Sequence, residues 1–272
     1  MMVPDDSRGM AVIDVVVHGA TGKMGRDVIT ALTQETDMRV VGAVGLEDMG
    51  ESLSLPGAGD GIPYSRDITQ ILDKCKPHVM VDFTNAEACM SALPQALRRG
   101  IHPVIGSTGL NDDDLARVYQ LDAPKDFGVF IAPNFTIGAV LLMQLAKKAA
   151  PFFDYVDVFE MHHENKLDAP SGTAISIARA IAQGREFKRP SPKRESLPGS
   201  RGAEYKGIGI HSSRMPGKLA YHEAVFGTDG QVLSIKHDTV SRECYMPGVI
   251  LAVRKVSQLK GLVVGLENLL DL

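Results

Sequence analysis

The residues with the clearest chemistry lie in one stretch, Glu160-Met161-His162-His163-Glu164-Asn165-Lys166-Leu167-Asp168-Ala169-Pro170-Ser171-Gly172-Thr173-Ala174. His162, His163 and Lys166 place three basic groups within five residues. An imidazole gives or takes a proton near neutral pH. A lysine beside it holds a carboxylate or stabilises negative charge as it develops. Ser171 suits a helix N-cap, which would leave Gly172 and Thr173 with free N–H groups for an anion. Together these describe a pocket for a small acidic molecule that needs a proton. Adjacent histidines followed by an acid invite comparison with zinc sites. Neighbours on a strand point to opposite faces, however, and the spacing is not H-E-x-x-H, so no metal is expected.

A second chemical feature is the turn His18-Gly19-Ala20-Thr21-Gly22-Lys23-Met24-Gly25. It sits between an apolar run and a helical pattern. Glycines let the backbone approach a phosphate, and the first helical amides point at it with the positive end of the dipole. The glycines fall at 19, 22 and 25, so Ala20 stands where the first glycine of G-x-G-x-x-G would be. An acidic residue roughly 20 positions on normally holds the adenine ribose. The second apolar run ends in Gly45, not in an acid, and Glu47 is the nearest candidate. Lys23 could instead meet a 2′-phosphate. NADH and NADPH stay open at this point.

The elements that must carry these features alternate. Ala11–Val17 reads as a strand buried on both faces, and Met24, Val28 and Leu32 mark a helix over 24–34. Strands are expected at 40–44, 78–83, 103–105 and 129–132, with helices at 68–74, 86–99 and 112–120. That pattern is a doubly wound α/β sheet with right-handed crossovers. From residue 136 the rhythm changes. Ile137, Val140, Leu141 and Leu145 are expected to line one face of a long helix. A strand at 155–161 and a helix at 171–182 follow. Residues 184–202 hold three prolines and a basic excess and read as a long loop. Strands at 205–212 and 219–226 precede a hairpin at Thr228-Asp229-Gly230 into 232–239. The last helix carries a stripe of Val249, Ala252, Val253 and Val256 that has no partner in the second half, so it is expected to return to the first.

Composition narrows the class. Of 272 residues, 44% are hydrophobic and 23% charged, the balance of a globular chain of one large or two modest domains. Three unpaired cysteines, Cys75, Cys89 and Cys244, exclude a disulfide scaffold and suggest a reducing, cytoplasmic compartment. A net charge of -4 argues against nucleic-acid binding. No run reaches the roughly 20 apolar residues of a membrane span. The start, with Asp5 and Asp6, lacks the core of a secretory signal, and residues 1–10 read as a frayed terminus.

The histidine block, joined to Gly19–Gly25, resembles the 4-hydroxy-tetrahydrodipicolinate reductase (dihydrodipicolinate reductase) family of lysine and diaminopimelate biosynthesis. Val81-Asp82-Phe83-Thr84, Gly106-Ser107-Thr108-Gly109, Ala132-Pro133-Asn134-Phe135 and Ser241-Arg242 are similar to further landmarks of that family, over residues 12–272. The resemblance implies a Rossmann-like N-terminal domain, 1–135, completed by 241–272 and its C-terminal helix. It also implies a central α+β domain with an open mixed sheet, 136–240, that binds substrate and builds a homotetramer. Gly19, Ala20, Thr21, Gly22, Lys23 and Met24 would cradle the pyrophosphate of NADH or NADPH. Gly106, Ser107, Thr108, Ala132, Pro133, Asn134 and Phe135 would line the nicotinamide. His162 would be the proton donor and Lys166 its cationic partner. His163, Ser171, Gly172 and Thr173 would hold a dicarboxylate, and Arg242 would steady the pocket. Gly45, and Pro133 in place of a more usual small residue, depart from the family pattern. The expected reaction is loss of water from the hydroxy imine, hydride transfer to the ring and protonation by His162, with one domain closing over the other. Two other readings are a related nicotinamide oxidoreductase acting on another small acid, and a non-catalytic dinucleotide sensor.

Overall fold

The computed structural model describes residues 12–54, 61–121 and 127–270. The start read as a frayed terminus, and Ala11 of the first expected strand, lie outside the described residues. The chain divides into two compact units. One runs to Phe135 and resumes at Tyr245; the other is Thr136–Cys244.

The first unit alternates as its sequence pattern requires. It comprises β1 (Ile13–His18), α1 (Lys23–Thr33), β2 (Met38–Val44), β3 (Ser52–Leu53), β4 (Ile62–Ser65), α2 (Ile68–Cys75), β5 (Val79–Asp82), α3 (Ala86–Arg98), β6 (His102–Ile105), α4 (Asp112–Gln120) and β7 (Gly128–Ile131). Val15, Val16 and Val17 have no exposed surface, because helices cover both faces of β1. Asn85 accepts from the Ala88 amide to start α3. Asn111 and Asp114 form a reciprocal capping box at α4.

The strand order is β7-β6-β5-β1-β2-β4-β3, and all pairs are parallel except β3 with β4. Successive connections leave β1 in opposite directions, which opens a crevice at the carboxyl ends of β1 and β5.

The tail completes this unit. Helix α7 (Met246–Lys255) buries Val249, Ala252 and Val253 and packs on α1. Arg254 bridges to Asp37 at 2.7 Å and also pairs with Glu35. A further strand, β13 by chain order (Gly261–Val264), pairs in parallel with β7 and makes the sheet eight-stranded.

The second unit holds α5 (Ile137–Ala149), β8 (Tyr155–His162), α6 (Gly172–Ile181), β9 (Ala203–Tyr205), β10 (Ile208–Arg214), β11 (Ala220–Thr228) and β12 (Gln231–Thr239). Its mixed sheet has the order β12-β11-β8-β10-β9. Leu142 and Ala146 of α5, with Ile177 and Ile181 of α6, pack on Val156, Val158 and their neighbours on one sheet face.

The buried stripe of α5 is Ala139, Val140, Leu142 and Ala146, and Leu145 is 50% exposed. This corrects the face expected from Ile137, Val140, Leu141 and Leu145. Helix α5 packs closely on α6, so Ala139 and Ala146 face inward beside Leu142, and Leu145 stays outside. Residues 184–202 hold no helix or strand, as expected. Their arginines nonetheless work as staples. Arg185 donates to the carbonyls of Ala150 and Phe153 at 2.8 and 3.1 Å, and Arg189 to that of Ala203 at 2.8 Å.

Candidate active site

Strand β8 turns alternate residues inward, so Glu160 and His162 share one face with Val156 and Val158. Parallel pairing sets Arg214 of β10 beside His162. Antiparallel pairing sets His222 of β11 opposite Glu160. Four chemical groups from three strands thereby meet under the start of α6.

Glu160 is the hub, with 1% of its surface exposed. One carboxylate oxygen accepts from His162 Nδ1. The other lies 2.9 Å from the Arg214 guanidinium and 3.4 Å from the Ser171 amide. Burial alone would raise the Glu160 pKa, but Arg214, Ser212 and His162 outweigh it and hold the group below its ordinary value, so it is a carboxylate. With Nδ1 committed, His162 has Nε2 left for chemistry. Burial depresses the His162 pKa, Glu160 opposes that, and Lys166 and Arg214 add to it.

His222 is 4% exposed. Burial, then the charge of His162, pushes its pKa down to about 4, so it is neutral near pH 7. Its Nε2 lies 3.2 Å from Ser171 Oγ, and its ring meets that of His162 edge-on at 5.3 Å. Glu160, His162 and His222 are close enough to be compared with a metal-ligand set. The guanidinium on the same carboxylate repels a divalent cation and takes a lone pair that such an ion would need.

The other expected residues of this site are spread along the loop that follows. Ser171 is the N-cap of α6 and accepts from the Ala174 amide at 3.1 Å. Gly172 is exposed and Thr173 half-buried. Lys166 donates to Asp168 at 2.7 Å. Lys166 first, then backbone amides at Asp168 itself and Gly172, hold the Asp168 carboxyl below the usual range. A carboxylate of the chain itself thus occupies the ammonium expected to hold substrate. His163 lies half-buried just past β8, and Arg242 is exposed in a short 3-10 turn. Glu160, Arg214 and His222 carry no site signal of their own in the sequence. The period-two alternation that links Glu160 to His162 was the one local signal; the other two arrive through strand register.

The first unit carries its own cluster at the carboxyl ends of β1, β5, β6 and β7. Gly19 has φ +85°, and a Cβ there would lie 2.7 Å from the Phe83 carbonyl oxygen. Gly25 admits no side chain, since its Cβ would fall 2.1 Å from the Gly19 oxygen. Gly22 starts α1 with no side-chain cap, so the first amides of that helix remain for an anion. The backbone of Gly19–Gly25 therefore fits a pyrophosphate.

Below it Asp82 is fully buried. It accepts from His18 Nδ1 at 2.8 Å, from Thr84 N and Oγ1 at 3.0 and 2.7 Å, and from Ser107 Oγ. Burial opposes its charge, but these partners hold its pKa below the ordinary value. The buried carboxylate ties together the strand ends at His18, Thr84 and Ser107. Gly106 has no room for a side chain between the Phe83 and Phe135 rings. Ser107, Ala132 and Phe135 are buried, Asn134 is half-buried, and Thr108 and Pro133 are exposed. Gly45 is explained as well. A Cβ there would stand 2.7 Å from Thr21 Oγ1 and 3.0 Å from the Tyr64 hydroxyl, so an acid at the end of β2 would have to displace those side chains. Glu47 is exposed, 3.9 Å from Arg26.

Comparison with known proteins decides the family. The profile described as "Dihydrodipicolinate reductase, N-terminus" matches residues 13–135, and "Dihydrodipicolinate reductase, C-terminus" matches 138–270. The chain belongs to the dihydrodipicolinate reductase family.

Among relatives called 4-hydroxy-tetrahydrodipicolinate reductase, one from Dehalococcoides mccartyi is 45% identical over 263 residues, covering 97% of this chain and 100% of the relative. One from Moorella thermoacetica is 44% identical over 267 residues, covering 96% and 99%. A solved dipicolinate-bound dihydrodipicolinate reductase from Paenisporosarcina sp. TG-14 superposes with a TM-score of 0.85 at 37% identity, covering 94% and 99%. An amine dehydrogenase from Mycobacterium smegmatis, at 14% identity and a TM-score of 0.64, shares the fold.

As a dihydrodipicolinate reductase family member the chain is an oxidoreductase, with NADH or NADPH as its reductant. Among the described residues no helix is long and apolar enough to cross a membrane.

Proposed function

We propose that this chain reduces 4-hydroxy-tetrahydrodipicolinate to tetrahydrodipicolinate, with loss of water, in lysine and diaminopimelate biosynthesis. The observation that carries the proposal is the His162 ring, held through Nδ1 by the Glu160 carboxylate beside the first turn of α6. A proton donor next to the N-terminal amides of a helix and an ammonium suits a dicarboxylate whose ring takes up a hydride and a proton.

In this reading the residues up to Phe135 with the tail form the dinucleotide-binding domain, and 136–240 form the substrate domain. The turn Gly19–Met24 and Glu47 hold the dinucleotide. Gly106–Thr108 and Ala132–Phe135 line its nicotinamide, which when bound supplies a hydride. His163, Ser171, Gly172 and Thr173 bind the substrate carboxylates. Lys166 leaves Asp168 to pair with one of them, and Arg242 steadies the pocket. His162 Nε2 gives its proton to the reduced ring, and Glu160 stabilises the imidazolium that recharges it. Turnover requires substrate and dinucleotide to meet, so water is excluded as they do.

The sheet face of the second unit away from α5 and α6 carries Tyr155, Phe159, Met161, Tyr221 and Val225 at its surface. We assign it to a cytoplasmic homotetramer. Light scattering of the purified chain tests that part.

Freshly generated substrate, assayed in parallel with NADH and NADPH, tests the activity. Oxidation of either dinucleotide that depends on the hydroxy imine is expected. His162→Gln and Lys166→Ala should each lower kcat by about a hundredfold or more. Wild-type turnover in both variants removes the assigned roles. No turnover of this substrate by the wild-type chain removes the activity.

A further inference from the structure

The second unit contains a histidine for which the reaction outlined above has no use. His222 is buried, yet it is surrounded by the site's working groups: Glu160 opposite it in register, His162 edge-on at 5.3 Å, and Ser171 at 3.2 Å. Its strand neighbour on the far side is His237 of β12. A buried imidazole is costly unless its polar atoms are used. Here one ring nitrogen meets the hydroxyl that caps α6. That hydroxyl already accepts from the Ala174 amide, so its own proton is available to Nε2 of a neutral ring.

We propose that His222 is a positioning residue for substrate. Through the Ser171 hydroxyl it holds the first turn of α6, and with it the amides of Gly172 and Thr173, in register with the His162 ring that it touches edge-on. The inference rests on the reading of that turn as the carboxylate cradle. It adds that the cradle and the proton donor are aligned by one side chain, so substrate affinity, not dinucleotide affinity, depends on it.

The test uses the full-length chain, with dipicolinate as binding probe and the hydroxy imine as substrate. His222→Phe keeps the ring and removes the acceptor; His222→Asn restores an acceptor. Losing one buried hydrogen bond predicts that His222→Phe raises the dipicolinate Kd and the substrate KM about tenfold. The KM for NADH or NADPH should stay within about twofold and kcat within about threefold. His222→Asn should recover part of the loss. Combining Ser171→Ala with His222→Phe should cost little beyond either change alone, because both act through one contact.

An unchanged Kd in His222→Phe overturns the proposal. So does an equal rise in both KM values without rescue by Asn, which marks a purely structural role. If His222→Phe does not fold, His222→Leu, which also removes the acceptor, takes its place in the same comparison. Failure of the wild-type chain to bind dipicolinate or turn over substrate removes the underlying functional reading instead, which separates the two failures.

Discussion

Glu160 and His162 lie two residues apart on one face of β8, and the imidazole Nδ1–H donates to the carboxylate. The bond selects the tautomer that leaves Nε2 for the substrate, and its charge partly offsets the burial that depresses the His162 pKa. Glu160→Gln removes that support. The general acid must be protonated, so its rate is lost as pH rises through the His162 pKa, and the variant should lose it at lower pH. A fall in kcat/KM at neutral pH of roughly ten- to a hundredfold is expected. The measurement is a pH profile of kcat/KM in both proteins; an alkaline limb that does not move contradicts the assignment.

Acid should destabilise the second unit through His222. Its folded pKa of about 4 lies below the ordinary value of 6.5. The unfolded chain therefore binds the extra proton first. The stabilising difference is complete above about pH 6.5 and fades as pH falls toward 4, by on the order of 3 kcal/mol at most. Denaturant unfolding at pH 7 and pH 5 should show the loss in the wild type and a smaller loss in His222→Asn. Equal pH slopes in the two proteins would count against a neutral buried ring.

Asp168 competes with substrate for Lys166, whose ammonium donates to it at 2.7 Å. Asp168→Asn removes the internal carboxylate charge from an exposed pair. The expected effect is a modest one, dipicolinate binding tighter by about two- to fivefold. Titration calorimetry reads it directly. Weaker binding in the variant would mean that Asp168 holds Lys166 in place instead of competing with the ligand.

Gly45 and Gly19 should each resist a side chain, for different reasons. Gly45→Asp must displace Thr21 and Tyr64, which a Cβ alone already crowds at 2.7 and 3.0 Å. It should weaken dinucleotide binding at least tenfold and lower the Tm, whatever attraction the acid offers the ribose. Gly19→Ala adds a left-handed backbone, φ +85°, and should cost at least about 1 kcal/mol. Fluorescence titration with NADH and a melting curve settle both. An intact Kd in Gly45→Asp would show that the strand end has room after all.

Much of the fold was legible because it is written locally. The capping residues Asn111 and Asp114 announce α4, whose bounds the sequence reading met at both ends. The valine run of β1 and the stripe on α7 were equally plain. Burial on α5 was not, since close packing on α6 favours Ala139 and Ala146 over the larger Leu141 and Leu145. The expected strand at 205–212 became two, because Lys206 and Gly207 both take positive φ and reverse the chain. Strand β13 escaped notice: four residues at a sheet edge carry little periodic signal, and their partner, β7, is far upstream. The site divides the same way. His162, Lys166 and Ser171 stand close together in sequence. Arg214 and His222 reach them only through pairing register, and Asp82 meets His18 and Ser107 only at the sheet's carboxyl edge.

The eight-stranded sheet is interrupted after β7 by the whole second unit and finished by residues 246–264. During synthesis, strand β7 therefore leaves the ribosome as an open edge and waits for more than a hundred residues before its neighbour is made. A nascent chain stalled in that interval displays unpaired backbone groups beside a naked α1 surface. Ribosome stalling downstream of β7 should thus be a point at which chaperones engage this polypeptide and quality-control proteases find it.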